Sequence, residues 1–164
     1  MRSGWSCPPG REDAGAYVVV ATLARVLRIA REHVDAMIAH ARKDHPDEAC
    51  GVIVGPEGSD SAERFIAMTN AERSPTFFRF DPGEQLQLYK AMDAAGEEIV
   101  VVYHSHTATE AYPSRTDIAL ASEPQAHYLL VSTAESPGGD GPVDIRSYRI
   151  LDGTVTEEEI EVME

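Results

Sequence analysis

Apolar residues recur along the chain in two rhythms, and the changes between them mark the elements. VLRI, at 26–29, is a short apolar run that predicts a strand. AREHVDAMIAHARKDH then places Val34, Met37, Ile38 and Ala41 at helical spacing, with Glu32 early and Arg42 and Lys43 late, matching the helix dipole; Pro46 ends it. ACGVIVG reads as a buried strand closed by Gly55-Pro56-Glu57-Gly58, and ERFIAMTN as its hairpin-like partner. NAERSPTFFRFDP is irregular, punctuated by Pro75 and Pro82. PGEQLQLYKAMDAAG is helical, with Leu86, Tyr89 and Met92 three apart and Gly96 as the C-cap. The unbroken apolar run of EIVVVYHSH predicts a strand buried on both faces. PSRTDIALASE opens another helix and AHYLLVST another strand. After the loop SPGGDGP, DIRSYRIL and TVTEEEIEVM form a hairpin around a type I′ turn at Asp152-Gly153.

Helices and strands alternate at first, and strands dominate the last third. The expected fold is α/β (α+β), a single-domain mixed β-sheet flanked by helices. The domain is expected over 26–164, preceded by a disordered or mis-started leader at 1–25 that is rich in Gly, Pro and Ser. The apolar AYVVVATLA in that leader follows Glu12 and Asp13, without the flanks of a signal peptide.

Composition narrows the function classes. A net charge of −14 disfavours both nucleic acid and an anionic membrane surface as partners, because each is gripped through Lys and Arg. The two cysteines, Cys7 and Cys50, are far apart and fit neither a disulfide framework nor a zinc finger, so a cytoplasmic setting is expected.

The chemistry concentrates in VVYHSHTATEAYPSRTD. Residues i and i+2 of a strand face one side, so His104 and His106 point together with Cβ atoms roughly 6.5–7 Å apart, close enough for two imidazoles to converge on one cation. A lone HxH reads more readily as a polar strand end. Ser114 and Asp117 by themselves read as a capping box, Ser at the N-cap and an acid three residues on. The two readings are compatible. A helix start puts both side chains in one turn, and the loop between can fold that turn back onto the strand end. A third ligand from Asp117 would leave an open coordination position, the arrangement of catalytic zinc. Glu48, in HPDEACGVIVG, is a carboxylate at the start of a buried strand, and its bland alternative is a surface residue at a strand edge.

Glu48, then His104-Ser105-His106, seven residues, Ser114, two residues and Asp117 together resemble the JAMM (MPN+) metallopeptidases. The likeness runs from about Val26 to the C-terminus. Within the family it looks most like actinobacterial members that release cysteine from a small ubiquitin-like sulfur-carrier protein. DHPDEACGV, MTNAERSPTF, YHSHTATEAYPSRTD and LDGTVTEE carry that closer likeness. Thr107 stands where many members have proline. The resemblance implies one Zn2+ on His104, His106 and Asp117, with Glu48 as general base and proton carrier to the leaving amine, and Ser114 as donor to the developing oxyanion. A tail of the glycine-glycine type would enter extended. Two alternatives stand beside this: an isopeptidase for another ubiquitin-like modifier, and a non-catalytic MPN scaffold. Cys50 is expected as a small core residue and Glu110 as an exposed loop carboxylate. Phe77, Phe78 and Phe80 read as packing residues or as the lining of a substrate groove, with packing favoured, and His33, His40, His45 and His127 have no assigned partner.

Overall fold

The computed structural model describes residues 25–136 and 139–164. The expected leader, Cys7 and AYVVVATLA therefore lie outside the described residues, except for Arg25. The elements run β1 (Val26–Ala30), α1 (Arg31–Asp44), β2 (Cys50–Pro56), β3 (Arg64–Met68), α2 (Pro82–Ala95), β4 (Glu97–His106), α3 (Arg115–Leu120), β5 (His127–Ser132), β6 (Asp144–Leu151) and β7 (Thr154–Met163). The strands form one seven-stranded sheet in the order β1-β7-β6-β5-β4-β2-β3. It is mixed: β1 runs parallel to β7 and β4 to β5, and the other pairs are antiparallel.

Strand alternation gives the sheet two apolar faces. On one, Val34, Met37 and Ala41 of α1 pack against Ile53, Val101, Tyr103, Leu129 and Val131. On the other, Leu88 and Met92 of α2 pack against Val52, Val102, Leu130 and Tyr148. β4 lies inside the sheet between β5 and β2 and is buried from Ile99 onward, as its continuous apolar run predicts. A register shift opposite Ile53 and Val54 leaves Val100 unmatched, so Val100 and Val101 both reach the α1 side. Beyond the bulge the alternation is regular. Tyr103 and Ser105 face α1, where the Tyr103 hydroxyl donates to the Met37 carbonyl at 2.9 Å, and Val102, His104 and His106 take the opposite face.

Two expectations need correction. In α2 the buried stripe is Leu88 and Met92, four apart, while Leu86 and Tyr89 are 53% and 43% exposed. The three-residue spacing picked out a face beside the one that meets β4. The third helix is also shorter than expected. Pro124 disfavours helical geometry at Glu123, and the Glu123 amide donates instead to the Tyr128 hydroxyl at 2.9 Å. Elsewhere the turn chemistry holds. Gly96 caps α2 at φ 66, and Asp152 and Gly153 turn the β6–β7 hairpin at φ 48 and 78, the signs that a type I′ turn requires.

Candidate metal centre

The C-terminal end of β4 delivers two imidazoles to one point. His104 is level with Cys50 on β2 and Leu130 on β5, and His106 with Ser132, so neighbours on both sides hold the strand end. Both rings are buried, and their Nε2 atoms lie 3.2 Å apart. Asp117 of α3 brings its Oδ2 to 3.3 Å from His104 Nε2 and 3.4 Å from His106 Nε2. Two donors at about 2.0–2.1 Å from a tetrahedral ion are about 3.3 Å apart, so this near-equilateral triangle has the size of three corners of a zinc tetrahedron. Among the described residues these three are the group of His, Cys, Asp or Glu side chains close enough to share one ion. Three protein donors leave a fourth position open, as catalytic sites do.

The second expectation for Ser114 and Asp117 holds at the same time. The Ser114 hydroxyl accepts from the Asp117 amide at 3.1 Å, and Asp117 Oδ2 accepts from the Ser114 amide at 2.7 Å, a complete capping box. One oxygen thus serves helix cap and triangle together. With its oxygen engaged by an amide, the exposed Ser114 hydroxyl keeps its own proton for another acceptor.

Partners behind the triangle fix its orientation. His106 Nδ1 meets the Glu110 carbonyl at 2.8 Å, an acceptor that requires a hydrogen on Nδ1 and leaves the Nε2 lone pair facing the triangle. The Glu110 carboxylate is exposed, as expected; its main chain carries the contribution. His104 stacks on Phe78, with centroids 4.6 Å apart and planes 25° apart. Burial lowers the pKa of His104 against the pull of Asp117. Burial opposes protonation of His106 as well, but its hydrogen bonds to Asp117 and to the Glu110 carbonyl win and raise it. Burial would push the Asp117 carboxyl up, yet hydrogen bonds from His104, His106 and Ser114 hold it well below the usual carboxylate range.

Glu48 lies near enough to the triangle to feel the charges of His106 and Asp117. It is 5% exposed, and burial lifts its carboxyl to about 7; His106 pulls the value down and Asp117 pushes it up. The backbone around it is held on every side. Its amide donates to the Ser74 carbonyl at 2.9 Å and its carbonyl accepts from Asn70 Nδ2 at 3.0 Å. Ala49 exchanges bonds with Ser105: the Ala49 amide donates to Ser105 Oγ at 2.8 Å and the Ser105 amide to the Ala49 carbonyl at 2.9 Å. Sequence reasoning passed over Asn70 and Ser105. For Ser105 the signal was present, since a residue between two same-facing histidines must point the other way. Asn70 meets Glu48 across 22 residues, which no spacing announces.

An apolar cavity of about 180 Å³ adjoins the triangle, walled by Phe77, Phe78, Phe80, Tyr89 and Leu120 with His104 and Asp117 at its edge. The phenylalanines therefore line this cavity, while Phe78 and Phe80 also pack on the core as expected. Cys50 is fully buried, and burial pushes its thiol up to about 12, leaving an inert core residue. His127, without a partner in the sequence reading, lies between Glu158 and Asp60.

Residues 30–151 match the family model described as prokaryotic homologs of the JAB domain. The chain belongs to this family. Among JAB-domain relatives, it is 64% identical over 139 residues to the CysO-cysteine peptidase of Mycobacterium bovis, covering 85% of this chain and 92% of that protein. It is 32% identical to the desampylase of Haloferax volcanii, over 65% of this chain and 80% of that one. The solution structure of protein DSY2949 from Desulfitobacterium hafniense matches with a TM-score of 0.71 and 36% identity, covering 85% and 94% of the two chains.

Proposed function

We propose that this JAB-domain protein is a zinc-dependent peptidase that hydrolyses the amide bond between the C-terminal glycine of a small ubiquitin-like sulfur carrier and an appended cysteine. The observation that carries the reading is the triangle of His104, His106 and Asp117 with a buried, proton-accepting Glu48 beside it. The 64% identity to a CysO-cysteine peptidase supports the substrate class. A zinc ion held by the three side chains would supply Lewis acidity, polarising the scissile carbonyl and acidifying water. Glu48 takes a proton from the attacking water as its oxygen bonds to the carbonyl carbon, and returns that proton to the nitrogen as the C–N bond breaks. Its lifted pKa suits both halves, because a group that titrates near neutrality gives a proton back as readily as it takes one. The Ser114 hydroxyl donates to the developing oxyanion, its proton left free by the capping geometry. A cytoplasmic setting belongs to the same proposal.

The likeness to a desampylase favours a second reading, cleavage of another ubiquitin-like modifier from its conjugate. One experiment separates the two. The zinc-loaded protein is incubated with a carrier ending in cysteine and, separately, with a carrier linked to lysine, and intact masses are followed with and without chelator. Chelator-sensitive loss of one cysteinyl residue is the expected result. Cleavage of the lysine conjugate alone would replace the first reading with the second. Glu48→Gln is expected to keep the metal and to lose turnover by at least about a hundredfold; full activity would remove Glu48 from its role.

A further inference from the structure

We infer that Thr107 is a positioning residue for Glu48, fastening the loop that holds the general base to the strand that carries the two histidines. The inference rests on the reading of Glu48 above and goes beyond it to a residue with no assigned role.

The amide of Glu48 depends on a single carbonyl, that of Ser74, at 2.9 Å. Ser74 lies in a loop whose flanks are held by Asn70, its Nδ2 donating to the Glu48 and Phe77 carbonyls, while residues 74–76 have few bonds of their own to the sheet. Arg73, just before it, has left-handed backbone at φ 44, an uncommon conformation for a residue other than glycine, and Pro75 and Thr76 are exposed. Inside the stretch, Ser74 Oγ accepts from the Thr76 amide and lies 3.4 Å from the Thr76 hydroxyl, bonds that tie it only to itself. Beside the stack of Phe78 on His104, the hydrogen bond that ties it to the end of β4 is from Thr107, whose Oγ1 donates to the Pro75 carbonyl at 3.2 Å. Thr107 is 8% exposed. It follows His106 directly, where the His106 carbonyl is held by the Thr133 amide at 3.0 Å. The path is therefore short: rigid strand end, Thr107 hydroxyl, Pro75, Ser74, Glu48.

A structural role alone would show as lost stability. Positioning predicts a change in turnover that disappears when the general base is already displaced. Thr107→Val keeps the branched shape and removes the donor, and Thr107→Ser keeps the donor. In the zinc-loaded full chain, acting on a carrier with a C-terminal cysteine, Thr107→Val should lower kcat about fivefold, the worth of one hydrogen bond, with KM and metal content unchanged. Thr107→Ser should restore it. In a Glu48→Asp background the valine should cost nothing further, because residues acting through one another do not add. Hydrogen exchange at the Glu48 amide, followed by NMR on the protein alone, should quicken by a similar factor in Thr107→Val. Equal losses in both backgrounds, or a rise in KM with kcat unchanged, would overturn the inference. Unchanged exchange at Glu48 overturns it whatever the substrate. If the wild-type protein does not act on the carrier, the substrate reading falls, and the exchange measurement still decides Thr107.

Discussion

Two clusters among the described residues, each built around a buried histidine, bring histidine and carboxylate together, and they do opposite things with them. At the end of β4, His104, His106 and Asp117 aim Nε2, Nε2 and Oδ2 at a common point, 3.2–3.4 Å from one another. At the start of β5, the fully buried His127 turns one nitrogen to Glu158 Oε1 at 2.6 Å and the other to Asp60 Oδ1 at 3.0 Å, and Ser147 Oγ adds a bond to Glu158 at 2.7 Å. The residue types match. The directions differ: in one cluster the donor atoms converge, while in the other each ring nitrogen is satisfied separately on opposite edges. Convergence of lone pairs is what a cation needs, whereas divergent pairing ties a loop residue, Asp60, and β7 to the sheet. Geometry, and not the inventory of side chains, separates a cluster that could hold an ion from a clasp.

The contrast breaks first at the converging cluster. Removing one corner by His104→Ala should abolish stoichiometric zinc binding, measured by elemental analysis, and cut peptidase activity by at least about a thousandfold, while the fold persists by circular dichroism. Retained zinc would mean that two donors suffice and that the triangle is not the site.

A smaller effect lies in the pH dependence of the metal-free protein. Burial lifts the Glu48 carboxyl to about 7, above the ordinary carboxylate value it recovers on unfolding, so the fold prefers it protonated. That preference stabilises the protein fully below about pH 4 and is lost as pH rises through about 7. In chelator-treated protein, Glu48→Gln, which cannot ionise, should gain on the wild type between about pH 5 and 8, by up to about 3 kcal/mol in urea denaturation. Parallel pH profiles for the two proteins would show a carboxyl that is solvated.

The diverging cluster should answer in stability alone. His127→Gln is expected to cost about 2 kcal/mol, because Glu158 loses a partner in a buried setting, with zinc content and kcat unchanged. A loss of metal would show that the two clusters communicate and would dissolve the distinction.

Much of the architecture was readable along the chain because each element announces itself locally. The unbroken apolar run of β4, the helical spacing of Val34, Met37 and Ala41, and the Asp152-Gly153 turn are properties of neighbouring residues. The two histidines and the Ser114–Asp117 box were readable for the same reason, since strand alternation and helix-cap geometry act over a few positions. Glu48 was different. It meets the histidines through β2–β4 pairing across 56 residues, and only the resemblance to a known family tied it to them. The order of strands in the sheet and the face that α2 buries were out of reach, because each depends on which distant surface an element finds. The same distance hid the partners of His127.

The double use of Asp117 has a further consequence. A ligand that caps a helix is held in place by the fold before any ion arrives, so the pocket is a receptacle shaped in advance and not one moulded around its content. Rigid receptacles of mixed nitrogen and oxygen donors admit several divalent ions with affinities that follow general coordination chemistry. Under the zinc reading, the choice among such ions would then fall to what the surroundings supply, and the protein would take its metal from the company it keeps.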